Sequence, residues 1–408
     1  MDESPEAERA RRWQVPVAVL VGAFLFNLGQ GVLRPTMPLY LQQVFSANYR
    51  MVTLIPVVFG LGKWVASLPS GYLLDRLGRH RLMAGGLSLI ALGDVGSAMT
   101  SSYLVFLSLR ALGGVGWAAF STVAMTTMVG RSASHSRGRA VGLLLMSETL
   151  GLLVGSVAGG WLYGGVSLAS PFVFEATCML VAAITIGRWR ISTAEPRSAP
   201  PGVRFDWRLL QVVLGTPGVL LMSLSNAVLI AIQTGVLVFL YPLFLVEQGG
   251  LGLETAGFLI SLSVLGRLLA IWLGGSSSDR WGRMRVLIPG LLVYAALLGS
   301  LPLVTQPIAL GLWSLAIGAA AGFVAGLPTA LIGDRVAPAL QGVAVGWLRT
   351  VTDGGQIIGP VVIGALADAM HLSTAFFFAA ALLIAVAWQC RHRGDKQRRS
   401  SLAAGPRF

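Results

Sequence analysis

Nine ionisable side chains stand inside long apolar runs of this sequence: Arg34, Lys63, Asp94, Arg110, Glu148, Glu175, Arg267, Arg349 and Asp353, with Asp368 near the end of another run. If these runs cross a bilayer, each such group costs about 2.5–3.5 kcal/mol at the centre of a lipid-facing helix on insertion scales, so the groups should face the interior and pair. Two kinds of chemistry suit them: fixed ion pairs that hold helices together, and carboxylates that accept a proton when their cation leaves. Asp94 and Arg110 lie at similar depth, about seven residues from their shared outer loop, and can pair. Asn27, Gln30, Asn226 and Gln233 are uncharged candidates for lining a cavity, with Arg34 beside the first two; interhelical hydrogen bonds suit at least two of the four equally well.

The elements that would position these residues follow from composition. The chain has 408 residues, 55% of them hydrophobic and 12% charged, against about 25% charged in a soluble domain. Mean hydropathy is +0.74. Twelve apolar runs reach the length needed to span a membrane: 15–43, 51–74, 82–101, 103–129, 140–163, 170–189, 212–246, 253–274, 286–305, 307–332, 341–369 and 373–389. The first run lacks a small-residue cleavage site and reads as a retained helix. With the N-terminus in the cytoplasm, 24 of the 30 basic residues fall in cytoplasmic loops and ends, and Arg50 alone falls in an outer loop. Cytoplasmic loops retain positive charge, so both termini are expected in the cytoplasm of a multi-pass protein of the cell membrane. The net charge of +13 is thereby spread over short loops rather than gathered into a nucleic-acid surface. Cys178 and Cys390 have no metal or redox spacing, and His80, His135, His371 and His392 lie in loops or at ends without a second ligand in spacing. No metal, cofactor or catalytic residue is expected. The sequence GLGK from Gly60 lacks the first glycine and the final Ser/Thr of a phosphate loop, so a gradient rather than ATP is expected to drive any work.

An internal repeat organises the chain. An offset of 204 residues carries GYLLDRLGRHR (71–81) onto GSSSDRWGRMR (275–285), Pro38-Leu39-Tyr40-Leu41 onto Pro242-Leu243-Phe244-Leu245, and Gly151 and Gly155 onto Gly355 and Gly359. Each copy lies six runs from its twin, so the repeat is parallel. The expected class is an all-α polytopic membrane protein of twelve helices in two six-helix bundles. The expected divisions are an N-terminal tail (1–14), a first bundle (15–189), a Pro/Ser/Arg-rich linker (190–211), a second bundle (212–389) and a basic tail (390–408).

GYLLDRLGRHR resembles the signature of the loop between helices 2 and 3 in the major facilitator superfamily, with His80 in place of a fixed cation. RALGGVG (110–116) resembles the helix-4 signature of proton-driven members, with Gly113 where glutamine is commoner. GLLLMSETLGLLVGSVAGG (142–160) resembles the helix-5 antiporter signature, with Ser156 in place of its proline. NLGQGVLRPTMPLY is similar to the helix-1 signature of twelve-helix drug exporters. The resemblance covers essentially the whole chain. It implies proton-coupled export of small lipophilic or amphipathic compounds by a monomer working through alternating access. A lipid flippase or sugar exporter of the same superfamily is the alternative; a lipid-acting membrane enzyme or a channel is the reading from another class.

The resemblance also assigns roles. Gly71, Asp75, Arg76, Gly78 and Arg79, with Asp279, Arg280, Gly282 and Arg283, form cytoplasmic latch loops, where Asp75 and Asp279 face the positive N-termini of helices 11 and 5. Their arginines meet the anionic lipid surface, or simply set topology. Arg110 is linked to proton movement. Helix 5 packs against helix 8 and helix 11 against helix 2, which predicts an ion pair between Glu148 and Arg267 and a mirror pair between Lys63 and Asp353. Arg349 competes for Asp353 at i, i+4. Parting of such pairs would invite a proton, which makes Glu148 and Asp353 the expected carriers, with Asp94 and Arg110 as further residues of proton coupling.

Overall fold

The computed structural model describes residues 17–130, 137–188, 207–337 and 340–403; within these, the side chains of 67–76, 129–130, 137–141, 207, 342 and 393–403 lie outside the description. Twelve helices are long and apolar enough to cross a membrane. They are α1 (Val17–Phe45), α2 (Tyr49–Leu77), α3 (Arg79–Met99), α4 (Tyr103–Gly130), α5 (Arg137–Gly165) and α6 (Ser170–Arg188). The second set is α7 (Val219–Glu247 as a continuous span), α8 (Leu253–Trp281), α9 (Arg283–Ser300), α10 (Pro307–Arg335 as a span), α11 (Gln341–Ala369) and α12 (Leu372–Ala403).

Two expected runs are divided. The seventh, read as 212–246, begins instead with a separate helix, Trp207–Gly215, and turns at Gly218, whose φ of 90° suits glycine. Pro217 cannot donate the next helical hydrogen bond, and hydropathy does not register that loss. The tenth breaks at Gly326 into Pro307–Ala325 and Leu327–Arg335. The last helix continues beyond its apolar run through the basic tail to Ala403.

The chain forms two compact units. The first takes in Met1–Ala47, Val58–Pro201 and Gly252–Ser261; the second takes in Asn48–Val57, Gly202–Leu251 and Leu262–Phe408. The opening turns of α2 thus belong to the second unit, and those of α8 to the first.

Inside the first unit, α1 packs on α5 through glycine. A side chain at Gly151 would collide with the Phe24 carbonyl, at Gly155 with the Leu28 carbonyl, and at Gly159 with that of Val32. This close approach is what small residues provide where lipid removes the hydrophobic drive for helix association. The second unit repeats the device 204 residues on: Gly355 abuts Ala227 and Gly359 abuts Ala231, joining α11 to α7. The twins part at the prolines. α1 carries Pro35 and Pro38 within α-helix, whereas α7 winds as π-helix from Gln233 to Leu240, ending two residues before Pro242. Proline removes one ladder bond and its ring displaces the carbonyl four residues back; a π-turn is one way to accommodate that misfit.

Candidate functional site

The first unit holds a buried polar cluster. Asp94 on α3, Arg110 on α4 and Glu175 on α6 are 0%, 4% and 0% exposed. Arg110 Nη2 donates to Asp94 Oδ1 at 2.5 Å and to Ser97 Oγ at 3.0 Å, and the Ser97 hydroxyl donates on to the Gly93 carbonyl. Phe106 and Phe172 flank the guanidinium carbon, each ring centre 5.6 Å away. Tyr40 on α1 packs on both rings and donates to the Ser97 carbonyl at 3.3 Å. Gln30 on α1 donates its amide to Glu175 Oε1 at 2.5 Å, and Gly29 leaves room for the Glu175 stem. The ion pair expected between Asp94 and Arg110 is therefore present, and it sits in a larger set. Glu175 was among the buried ionisable residues of the sequence; what joins it to the pair is the packing of α6 against α3 and α1.

Gln30 and Asn226, read as cavity-lining, both make interhelical hydrogen bonds. The Asn226 amide donates to Thr352 Oγ1 on α11 at 2.8 Å. Asn27 bonds back to the Ala23 carbonyl of its own helix. Asn27, Gln30, Arg34 and Gln233 are half-buried. Lys63 has its ammonium 4.8 Å from the centre of the Trp117 ring on α4, a cation–π contact. Arg267 on α8 lies beside Tyr294 on α9. Among the described residues of its own unit, Arg267 makes no ion pair. Glu148 and Asp353 are half-buried and Arg349 is exposed. The pairs Glu148–Arg267 and Lys63–Asp353 would join residues of different units and remain proposals.

In the loops, Gly78 and Gly282 adopt φ of 79° and 91° at matching positions and turn the chain between helices. Gly71, Asp75 and Arg76 lie outside the described side chains. Arg79 donates to Thr127 Oγ1 at 3.4 Å. Its twin Arg283 pairs with Asp279 at 3.0 Å and, through Nε and Nη2, with both oxygens of Asp334 at the end of α10. Asp334 was not singled out in the sequence; a lone acid closing an apolar run was the available signal. Arg280 is exposed. At the opposite end of the second unit, Asp368 on α11 accepts from the backbone N–H groups of Tyr49 (2.7 Å) and Arg50 (2.9 Å), capping the start of α2, and the Tyr49 hydroxyl meets Glu247 at 2.5 Å. No group of three or more His, Cys, Asp or Glu suited to a metal occurs among the described residues.

Comparison with known proteins accords with this architecture. The family model of the Major Facilitator Superfamily matches residues 19–256 and 223–405. The MFS-type transporter YcaD of Salmonella enteritidis is 28% identical over 294 residues, covering 71% of this chain and 73% of that protein. Its counterpart in Salmonella arizonae is 27% identical over 292 residues, with the same coverage of 71% and 73%. Among solved structures, the nucleoside transporter NupG aligns with a TM-score of 0.78 at 14% identity, over 93% of this chain and 99% of NupG. A bacterial homologue of the human lysosomal transporter Spinster, inward-facing and occupied, aligns with a TM-score of 0.69 at 16% identity over 96% of each chain. At these identities the structural likeness speaks for the fold.

Proposed function

The chain belongs to the Major Facilitator Superfamily and is a multi-pass secondary transporter of small molecules, and from that premise we propose that it exports small lipophilic or amphipathic compounds in exchange for protons. The observation that carries this reading is the Asp94–Arg110–Glu175 set. Two acids and one cation are buried together, at a cost that apolar residues of the same size would avoid. A transporter coupled to protons has a use for carboxyls held in that way. The parallel repeat supports alternating access about a site near the bilayer midplane. Under the same reading the termini lie in the cytoplasm, the bundles divide at the linker 190–211, and Asp75 latches the state closed to the cytoplasm.

Reconstituted liposomes test it. With an imposed pH gradient, a panel of lipophilic dyes should include one whose movement collapses when a protonophore is added. Dye movement indifferent to the gradient in every case would overturn proton coupling. Asp75→Asn should slow transport in a protein that still inserts, and should change cysteine labelling at the cytoplasmic mouth; unchanged labelling would remove the latch.

A further inference from the structure

Each acid of the buried cluster uses one oxygen and leaves the other idle. Asp94 Oδ1 is taken by Arg110, and Glu175 Oε1 by Gln30, while Asp94 Oδ2 and Glu175 Oε2 are buried without a donor. Arg110 Nε is likewise without an acceptor. Both idle oxygens lie in one buried cluster: Phe172, one turn before Glu175 on α6, packs on the Arg110 guanidinium that holds Asp94. Ionised carboxylates are acceptors only, so neither can satisfy the other unless one carries a proton. A single proton on either acid supplies an O–H that donates to its partner.

Charge points the same way. With both acids ionised, the set of Asp94, Glu175 and Arg110 carries one net negative charge; with one proton bound it is neutral. The neighbouring helices bring mainly uncharged groups to it. α1 brings Gln30 and the neutral Tyr40 hydroxyl, with Arg34 one turn beyond Gln30; α4 brings Phe106; α6 brings Phe172 and Cys178; and the acid of α5, Glu148, lies lower along the bundle, where the neighbouring Ser147 bonds to Leu20 of α1. Arg110 is the cation that both acids share.

We propose that Asp94 and Glu175 form one proton-binding site, holding a single shared proton beside Arg110 within the first unit. Binding places the proton on one carboxyl oxygen, where it donates to the other acid; release returns it to water and leaves two carboxylates competing for one guanidinium. Gln30, the donor that reaches Glu175 from α1, is a positioning residue: it holds Oε1 and leaves Oε2 to the proton. The site rests on the proton-coupled reading for its use in transport, but its existence can be measured without transport. It differs from a carrier at Glu148 or Asp353, because it lies inside one unit and does not depend on an ion pair parting.

The test is infrared difference spectroscopy on the purified full chain in lipid nanodiscs, titrated across the pH range in which it stays folded. The wild type should show the C=O stretch of one protonated, buried carboxyl that disappears on alkalinisation. That band should shift on 13C labelling of aspartate or of glutamate, since the proton is shared. It should be lost or displaced in Glu175→Gln and Asp94→Asn, and persist in Glu148→Gln. Gln30→Ala should move its midpoint without removing it, which a merely structural amide would not do. Absence of any titrating carboxyl band in the wild type overturns the site even if no variant folds. So does a band that vanishes only in Glu148→Gln. A band that behaves as expected in a protein whose transport ignores the pH gradient keeps the site and removes the coupling; gradient-driven transport without the band does the reverse.

Discussion

The two six-helix repeats share a scaffold and differ in their interiors. Glycines at 151 and 155 and at 355 and 359 seat the fifth helix of each repeat on its first. The residues 204 positions beyond the buried cluster of the first repeat are of another kind: Asp94 becomes Leu298, Arg110 becomes Ser314 and Glu175 becomes Ala379, and all three are fully buried. Gln30 becomes Thr234. Where the first repeat clamps charges between phenylalanines, the second closes with the Tyr241 hydroxyl bonded to Ser314 over Phe244 and Phe376. A structural need common to both repeats would have been met in the same way in both. The second repeat fills the equivalent positions with a neutral hydrogen bond and apolar residues, so the buried charges of the first answer to no need that both repeats share.

That contrast is most exposed to Arg110→Ala. It leaves two buried acids with no cation, a loss of about 3–5 kcal/mol for one broken buried pair, and it should abolish gradient-driven transport. The twin change, Ser314→Ala, removes a neutral hydrogen bond worth about 1 kcal/mol and should leave transport near normal. Thermal unfolding in detergent and liposome flux measure both. Arg110→Lys should restore part of the transport, since a point charge returns without the forked donor geometry. Equal penalties for Arg110→Ala and Ser314→Ala would erase the distinction between the repeats.

The shared scaffold makes the opposite prediction. Gly155→Val would drive a side chain into the Leu28 carbonyl, and Gly359→Val would drive one into Ala231. Overpacking of this kind costs about 1–3 kcal/mol, and the two variants should lose similar amounts of stability in the same unfolding assay. A large loss for one and none for the other would show that the glycines are not equivalent.

How legible was this in the sequence? Asp94 and Arg110 could be paired because both sit near the ends of consecutive spans, where depth is countable from one loop. Glu175 could not be joined to them: its span is two helices removed, and only the packing of α6 against α3 and α1 brings it near. Gln30 read as a cavity residue because a polar side chain on an apolar helix does not announce which neighbour it bonds. The spans themselves were readable from hydropathy, but the break at Pro217-Gly218 and the π-winding before Pro242 were not, since backbone hydrogen bonding leaves no trace in an apolar average. The repeat did carry over, and it locates the differences between the halves as well as their likeness.

A smaller effect is expected at the start of α2. Asp368 accepts from two orphan N–H groups there, and its 204-residue twin is Gly164, which has no side chain to accept with. Asp368→Ala should cost about 0.5–2 kcal/mol, the usual value of a helix cap, and Asp368→Asn, which can still accept, should cost less. Hydrogen exchange at Tyr49 and Arg50 should quicken in the alanine variant. Unchanged exchange would mean the cap contributes nothing to holding that turn.

The smallest effect belongs to the latch loops. Arg283 engages Asp279 and Asp334, whereas the position equivalent to Asp334 in the first repeat is Gly130, and Arg79 reaches the Thr127 hydroxyl. Arg283 is 23% exposed and its two acids 64% and 54%, so water and salt screen the network. Exposed ion pairs are worth about 0.2–1 kcal/mol, and the bidentate geometry at Asp334 places this one toward the top of that range. Asp334→Asn should therefore lower the unfolding temperature slightly at low salt. Raising the ionic strength toward 1 M, where the Debye length falls to about 3 Å, should abolish the difference from wild type. Thr127→Ala, which removes a neutral partner from the matching arginine, should show no such salt dependence. If Asp334→Asn lowers stability by the same amount at every ionic strength, the carboxylate acts through hydrogen-bond geometry alone. The two loops would then differ in shape rather than in charge.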